Sequence, residues 1–232
     1  MTDSGKPTVP GTPAALKRPG SGRMGQPPEF EPGHALGDYV LEELLAVGGC
    51  GTVYSARHRL LGRPAAIKVL HRELSTSPEM FERFVREARV VNQIRHPNIV
   101  DVYGFGEVDT GRPFLVMELL SGVGLQTMLE RRHRLAPAEA LLYLEPICAA
   151  LRAAHEAGVV HRDLKANNVM VLAEGDSPRV KLLDFGIAKL VRPSPGDAQL
   201  TAVGQRLGTP TAMAPEQIRG GTIDARTDIY AL

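Results

Sequence analysis

Asp163, Lys165 and Asn168 stand together in HRDLKANN, residues 161–168, so a carboxylate, an ammonium and an amide oxygen share one short stretch. A second carboxylate, Asp184, follows in LLDFG after an intervening strand-like run. Two carboxylates and an amide oxygen on neighbouring loops are hard ligands, suited to Mg²⁺ that is shared with a polyphosphate. Each aspartate alone reads more simply as a turn or cap residue. Their combination is what points to chemistry.

Upstream, AVGGCGTVY (46–54) sets glycines between two strand-like runs. Glycine lets backbone amides approach phosphate oxygens with no Cβ in the way, although GGCG reads equally well as a plain hairpin turn. Lys68 follows in AAIKVL, inside an apolar run. A buried lysine there needs an anion; on an edge strand it would snorkel to water instead. Glu87, on the Phe84, Ala88 and Val91 side of the next helical stretch, is the carboxylate placed to meet it.

These groups need a frame. Strands are expected near 39–46, 52–58 and 64–70, the last two joined by a turn at Leu61, Gly62 and Arg63. A helix follows in SPEMFERFVREARVVNQIRH, with Ser77 as cap, Pro78 in the first turn and Phe81, Phe84, Val85, Ala88 and Val91 at helical spacing. Strands near 99–106 and 112–118 flank a turn at Asp109, Thr110 and Gly111. The second half opens with APAEALLYLEPICAALRAAHEAG, a long helix with Pro137 at its start and Gly158 past its end, and with Pro146 as a point of kinking. The short runs VVHRD, NVMVL and VKLLDFG then read as strands. A strand-rich first part and a helix-rich second part imply an α+β chain of two lobes with a cleft between them.

Composition narrows the rest. The 232 residues are 43% hydrophobic with a formal net charge of +1, so no global field draws the chain to nucleic acid or anionic lipid. Two cysteines without metal-ligand spacing suit a reducing compartment. No apolar run approaches membrane-spanning length and no signal segment is visible, so the expectation is a soluble, cytoplasmic chain. Residues 1–33, rich in Pro, Gly, Ser and Thr, read as a disordered tail.

In order, VGGCGTV, AAIK, the inward Glu87, HPNIV, HRDLKANN, DFG and APE (214–216) resemble the motif set of the eukaryotic-like serine/threonine protein kinases common in bacteria. The resemblance covers roughly residues 37–232 and implies a tail, 1–33, followed by a kinase domain, 34–232. That domain would have a β-rich N-lobe with one regulatory helix (about 34–120) and a helical C-lobe (about 121–232), left incomplete at its C-terminal end. It implies ATP and Mg²⁺, with Lys68 on the α- and β-phosphates, Glu87 orienting it, and Asn168 and Asp184 on the metal. Asp163 would take or aim the proton of the substrate hydroxyl, and Lys165 would neutralise charge on the transferred group. Ala46, Val47, Gly48, Gly49 and Gly51 would cover the phosphates. Val53, Ala66 and Met117, with the backbone of Glu118 and Leu120, would hold the adenine. Lys165 and Thr209 favour serine/threonine substrates in proteins, and a second copy could serve as partner for trans-autophosphorylation. Arg162 implies activation by loop phosphorylation, at Thr201 first and Ser194 second.

The chain departs from the family pattern at Ala46, where a glycine is usual, at Ala166-Asn167, and at Ala212, where an aromatic is common. It also ends at TDIYAL, inside a helix that family members continue. The expectation is therefore an unstable fragment, a Glu216 carboxylate deprived of its usual arginine, and, as the alternative to phosphotransfer, a pseudokinase-like binding module. A small-molecule kinase is disfavoured by the GTP…APE segment.

Overall fold

The computed structural model describes residues 29–49, 51–72, 85, 88–108, 111–172, 178–185 and 212–232. Glu87, Ser77, Pro78, Phe81, Phe84, Asp109, Thr110, Ser194, Thr201 and Thr209 lie outside the described residues.

A six-stranded antiparallel sheet forms the first lobe. Its strands are β1 (Ala35–Leu36), β2 (Tyr39–Val47), β3 (Gly51–His58), β4 (Pro64–Leu70), β5 (Val102–Glu107) and β6 (Pro113–Met117), in the order β1-β2-β3-β4-β6-β5. Alternation gives it two faces. Tyr54, Ile67 and Val116 point to one side, into a cluster with Leu36, Leu41, Ala56, Val69 and Phe114. Val53, Ala66 and Met117 point to the other, into a second cluster with Val100, Leu45 and Leu183. Helix α1 covers 88–94, and Val85, Ala88 and Val91 are buried, as the helical spacing requires.

The second lobe carries a three-stranded sheet of β7 (Gly122–Gly124), β8 (Val169–Leu172) and β9 (Arg179–Leu182). Its helices are α2 (Leu125–Arg132), α3 (Pro137–Glu156), α4 (Pro215–Arg219) and α5 (Ala225–Ala231). Helix α3 buries Tyr143, Ile147, Ala150, Leu151 and Ala154, one stripe at 3.6-residue spacing, against Val159, Leu164, Val169, Val180, Leu182 and Phe185. It runs unbroken through Pro146, and Gly158 follows with φ +76°. Among the described residues no helix is long and apolar enough to cross a membrane.

Three expectations need correction. VVHRD forms no strand, because the backbone N–H groups of His161 and Arg162 donate to the Asp228 carboxylate and not to a neighbouring strand. Residues 99–101 lie outside β5, since the second lobe claims their backbone: Val100 N–H donates to Leu182 O at 2.9 Å, and Ile99 bridges Leu182 in parallel. Residues 29–33, assigned by composition to the tail, are docked on the first sheet; Glu29 pairs with Arg112, and Gly33 N–H donates to Leu41 O at 2.8 Å.

Candidate active site

The loop between α3 and β8 holds a dense polar arrangement. Asp163 Oδ2 accepts from Lys165 Nζ at 2.8 Å and from Asn168 Nδ2 at 3.1 Å, and the same amide donates to the Asp163 carbonyl at 2.8 Å. Asn168 is 8% exposed, in the 3₁₀ turn Ala166–Asn168 that leads into β8. With its amide donors on Asp163, its remaining polar atom is the oxygen, which a hard cation takes. Asp163 and Lys165 line a depression with Ala212 and Met213.

This loop is bent around one buried carboxylate. Asp228, 1% exposed in α5, accepts from His161 N–H at 2.7 Å, Arg162 N–H at 2.8 Å and His155 Nε2 at 2.8 Å. Arg162 adopts φ +64°, a left-handed conformation that a non-glycine residue keeps only when its surroundings impose it. The Asp228 bond on its N–H and the Gln217 Nε2 donor on its carbonyl, at 2.7 Å, impose it here. His161 is neutral: Nδ1 accepts from Asp163 N–H at 3.3 Å while Nε2 donates to Leu183 O at 2.9 Å. Burial pushes its pKa below the ordinary histidine value, against the pull of Asp228.

Across the cleft, Lys68 projects from β4 and donates to Asp184 Oδ1 at 2.6 Å. The lysine side chain is 13% exposed, so the snorkelling alternative does not hold. Asp184 sits at φ +51°, a second non-glycine residue in the left-handed region. Leu183 N–H, immediately before it, donates to the Asn168 backbone carbonyl at 2.9 Å, which brings the two loops together. Among the described residues no three His, Cys, Asp or Glu side chains converge as a self-sufficient metal cage. A divalent ion held by Asn168 and Asp184 would need further oxygens, as a phosphate chain supplies.

The glycine turn is simpler. Gly48 N–H donates to Gly51 O at 2.9 Å, closing a hairpin between β2 and β3. Ala46 pairs with Val53 and Val47 with Thr52 in its arms. Gly51 has a packing duty: a Cβ there would collide with the Val69 carbonyl, whereas one on Gly49 would meet nothing. The expected adenine residues converge: Ala66 and Met117 are adjacent in register, and Val53 and Leu120 pack against them.

The family of protein kinase domains matches residues 39–232. This chain belongs to the protein kinase family. It is 43% identical over 203 residues to the serine/threonine-protein kinase Pkn1 of Myxococcus xanthus, covering 86% of this chain and 28% of that protein. It is 42% identical over 200 residues to PknA of Mycobacterium tuberculosis, covering 84% and 45%. The chain therefore spans less than half the length of these curated relatives. The crystal structure of the Mycobacterium tuberculosis PknI kinase domain superposes with a TM-score of 0.68 at 29% identity, over 87% of this chain and 73% of that one.

Sequence reasoning missed two parts of this kinase site. Lys181 in β9, 7% exposed, donates to Glu118 Oε1 at 2.5 Å and to Ile99 O at 3.1 Å. The same Glu118 oxygen accepts from Asp101 N–H at 2.8 Å, so the connection between lobes is held from both sides. A charged residue in the apolar run VKLL was the available signal. His155 also escaped notice; a histidine in the last turn of an amphipathic helix carries no mark of its partner 73 positions on. Glu216, expected without its usual arginine, has a hydroxyl partner: its Oε1 accepts from Thr227 Oγ1 at 2.6 Å, and that bond holds its pKa below the usual glutamate value.

Proposed function

We propose that this chain is the catalytic domain of a serine/threonine protein kinase, moving the γ-phosphoryl group of ATP to serine and threonine hydroxyls of protein substrates. The observation that carries the reading is the 2.6 Å pairing of Lys68 with Asp184 across the cleft, beside the Asp163–Lys165–Asn168 cluster. Cation, carboxylates and amide oxygen are the groups that would hold one polyphosphate in this reading.

In this reading Lys68 holds the α- and β-phosphates and Glu87 orients it. Asp163 accepts or aims the proton of the incoming hydroxyl. Lys165, already on Asp163 Oδ2, turns toward the charge that develops on the transferred group. Asn168 and Asp184 hold Mg²⁺, which supplies charge neutralisation on the phosphate oxygens when bound. The glycine turn, residues 46–51, covers the phosphates. Val53 and Ala66 cover the adenine from the first lobe with Met117 at its back, and its edge bonds the Glu118 and Leu120 backbone. Asp101 N–H and Lys181 on the Glu118 carboxylate keep that backbone in place.

The domain works in the cytoplasm and is switched by phosphorylation of Thr201, or secondarily Ser194, by a second copy. Against the expectation of an unstable fragment, purified chain given radiolabelled ATP, Mg²⁺ and a serine/threonine peptide will label both itself and the peptide. Asp163→Asn will lower the rate by about 10²–10⁴-fold. Equal labelling by the variant would sink the proposal.

A further inference from the structure

Residues 29–36 lie outside the stretch that matches the family, yet they are built into the first lobe. The two carboxylate oxygens of Glu29 accept from the two terminal nitrogens of Arg112, at 2.5 and 2.7 Å. The Arg112 side chain is 6% exposed, and Arg72 adds a second cation 3.6 Å from the same carboxylate. Phe30 follows the glutamate inward. Its N–H reaches the Tyr54 hydroxyl at 3.4 Å, its ring meets the Tyr54 ring edge-on at 6.0 Å, and the Arg112 guanidinium sits 5.7 Å above it. Strand β1 then joins the sheet beside β2.

The clasp closes on the strand that carries the nucleotide-facing lysine. Arg112 immediately precedes β6, whose Phe114 and Leu115 pair with Val69 and Lys68. Its guanidinium also donates, at a long 3.4 Å, to the carbonyl of Leu70, two residues beyond Lys68. Tyr54 and Ile67, beneath the clasp, alternate along their strands with Val53 and Lys68 on the cleft side. A buried guanidinium needs an anion to stay where it is. Remove this carboxylate, and the guanidinium at the end of β4 loses its bidentate partner.

We propose that Glu29 is a positioning residue for Lys68: through Arg112 it fixes the end of β4 and so the place where the ammonium meets the phosphates. The inference rests on the phosphotransfer reading. Glu29 touches no reacting atom and acts only through the sheet.

The test is a coupling measurement in the full chain, with binding of ATP and Mg²⁺ followed by isothermal titration. Glu29→Ala will weaken binding about three- to tenfold, and Glu29→Asp, which keeps the carboxylate, will restore most of it. In a Lys68→Met background Glu29→Ala will add nothing, because the clasp acts through the lysine. A lower melting temperature with unchanged affinity would overturn the proposal, as would the same weakening in both backgrounds. Should Glu29→Ala fail to fold, Glu29→Gln carries the same cycle with a smaller expected change of about two- to threefold. A parent chain that binds no nucleotide overturns the phosphotransfer reading along with the clasp. One that binds, with additive effects, overturns the clasp alone.

Discussion

The catalytic loop and the glycine turn both face the same cleft, yet they are held in different ways. His161 and Arg162 hang by their N–H groups on the buried Asp228 carboxylate, which the His155 ring also holds, and Arg162 is forced to φ +64°. The glycine turn has its own hairpin bond and, among the described residues, a contact from outside between His71 Nε2 and Gly48 O at 2.8 Å. The difference teaches where precision is stored. A loop tied to partners distant in sequence is fixed tightly; a turn tied mainly to its own hairpin is left light.

The comparison can be broken first at its strongest point. Asp228→Ala strands two buried backbone donors and the His155 ring N–H, at about 1–3 kcal/mol each. The sum approaches the whole stability of a domain, so the variant will show no cooperative melt and no kinase activity. A normal melt would mean that the loop is held elsewhere. Next comes Lys181→Met, which leaves the mostly buried Glu118 carboxylate without its ammonium. It will cost about 3 kcal/mol, read as a lower urea midpoint together with a raised KM for ATP.

The glycine turn supplies an internal control. Gly51→Ala will destabilise the chain by about 1–3 kcal/mol, because its Cβ meets the Val69 carbonyl. Gly49→Ala will leave stability within about 0.5 kcal/mol, because its Cβ meets nothing. Thermal melts of the two variants check this, and equal losses would remove the distinction.

The smallest effect is the pH dependence. Burial lowers the folded-state pKa of His161 and of His96, so the unfolded chain binds more protons as the medium acidifies. Their contribution is complete above the ordinary histidine pKa of about 6.5 and is lost below it, by at most about 1.4 kcal/mol per pH unit for each group. Urea midpoints from pH 7.5 to 5.5 will fall; a flat series would show that these rings keep an ordinary histidine pKa in the fold.

Much of the frame was legible because its signals are local. Strands at 39–46, 52–58 and 64–70 were expected from apolar runs broken by glycine, and the structure puts them at 39–47, 51–58 and 64–70. The long helix announced itself through Pro137, Gly158 and its apolar stripe. Less legible were β1, β7 and α2: two strands too short for alternation to register, and a helix with no buried residue to mark a face. VVHRD misled for the opposite reason. Its apolar, β-branched start reads as strand, but its N–H groups bond a carboxylate 66 and 67 positions away. Glu29 and Phe30 were hidden in a composition that argues for disorder, since the buried arginine they satisfy lies 83 positions from Glu29.

The sequence by itself determined which chemical groups this protein owns and the order in which they come: an ammonium in an apolar strand, a carboxylate–lysine–asparagine loop, a second aspartate before Phe185 and a glycine turn ahead of them all. Only the tertiary structure decided who meets whom. It set Lys68 on Asp184, Lys181 on Glu118, the catalytic loop on Asp228 and Glu29 on Arg112. The physical reason is range: propensity and periodicity act over a few residues, whereas a buried charge takes as partner whatever the packed chain brings within about 3 Å.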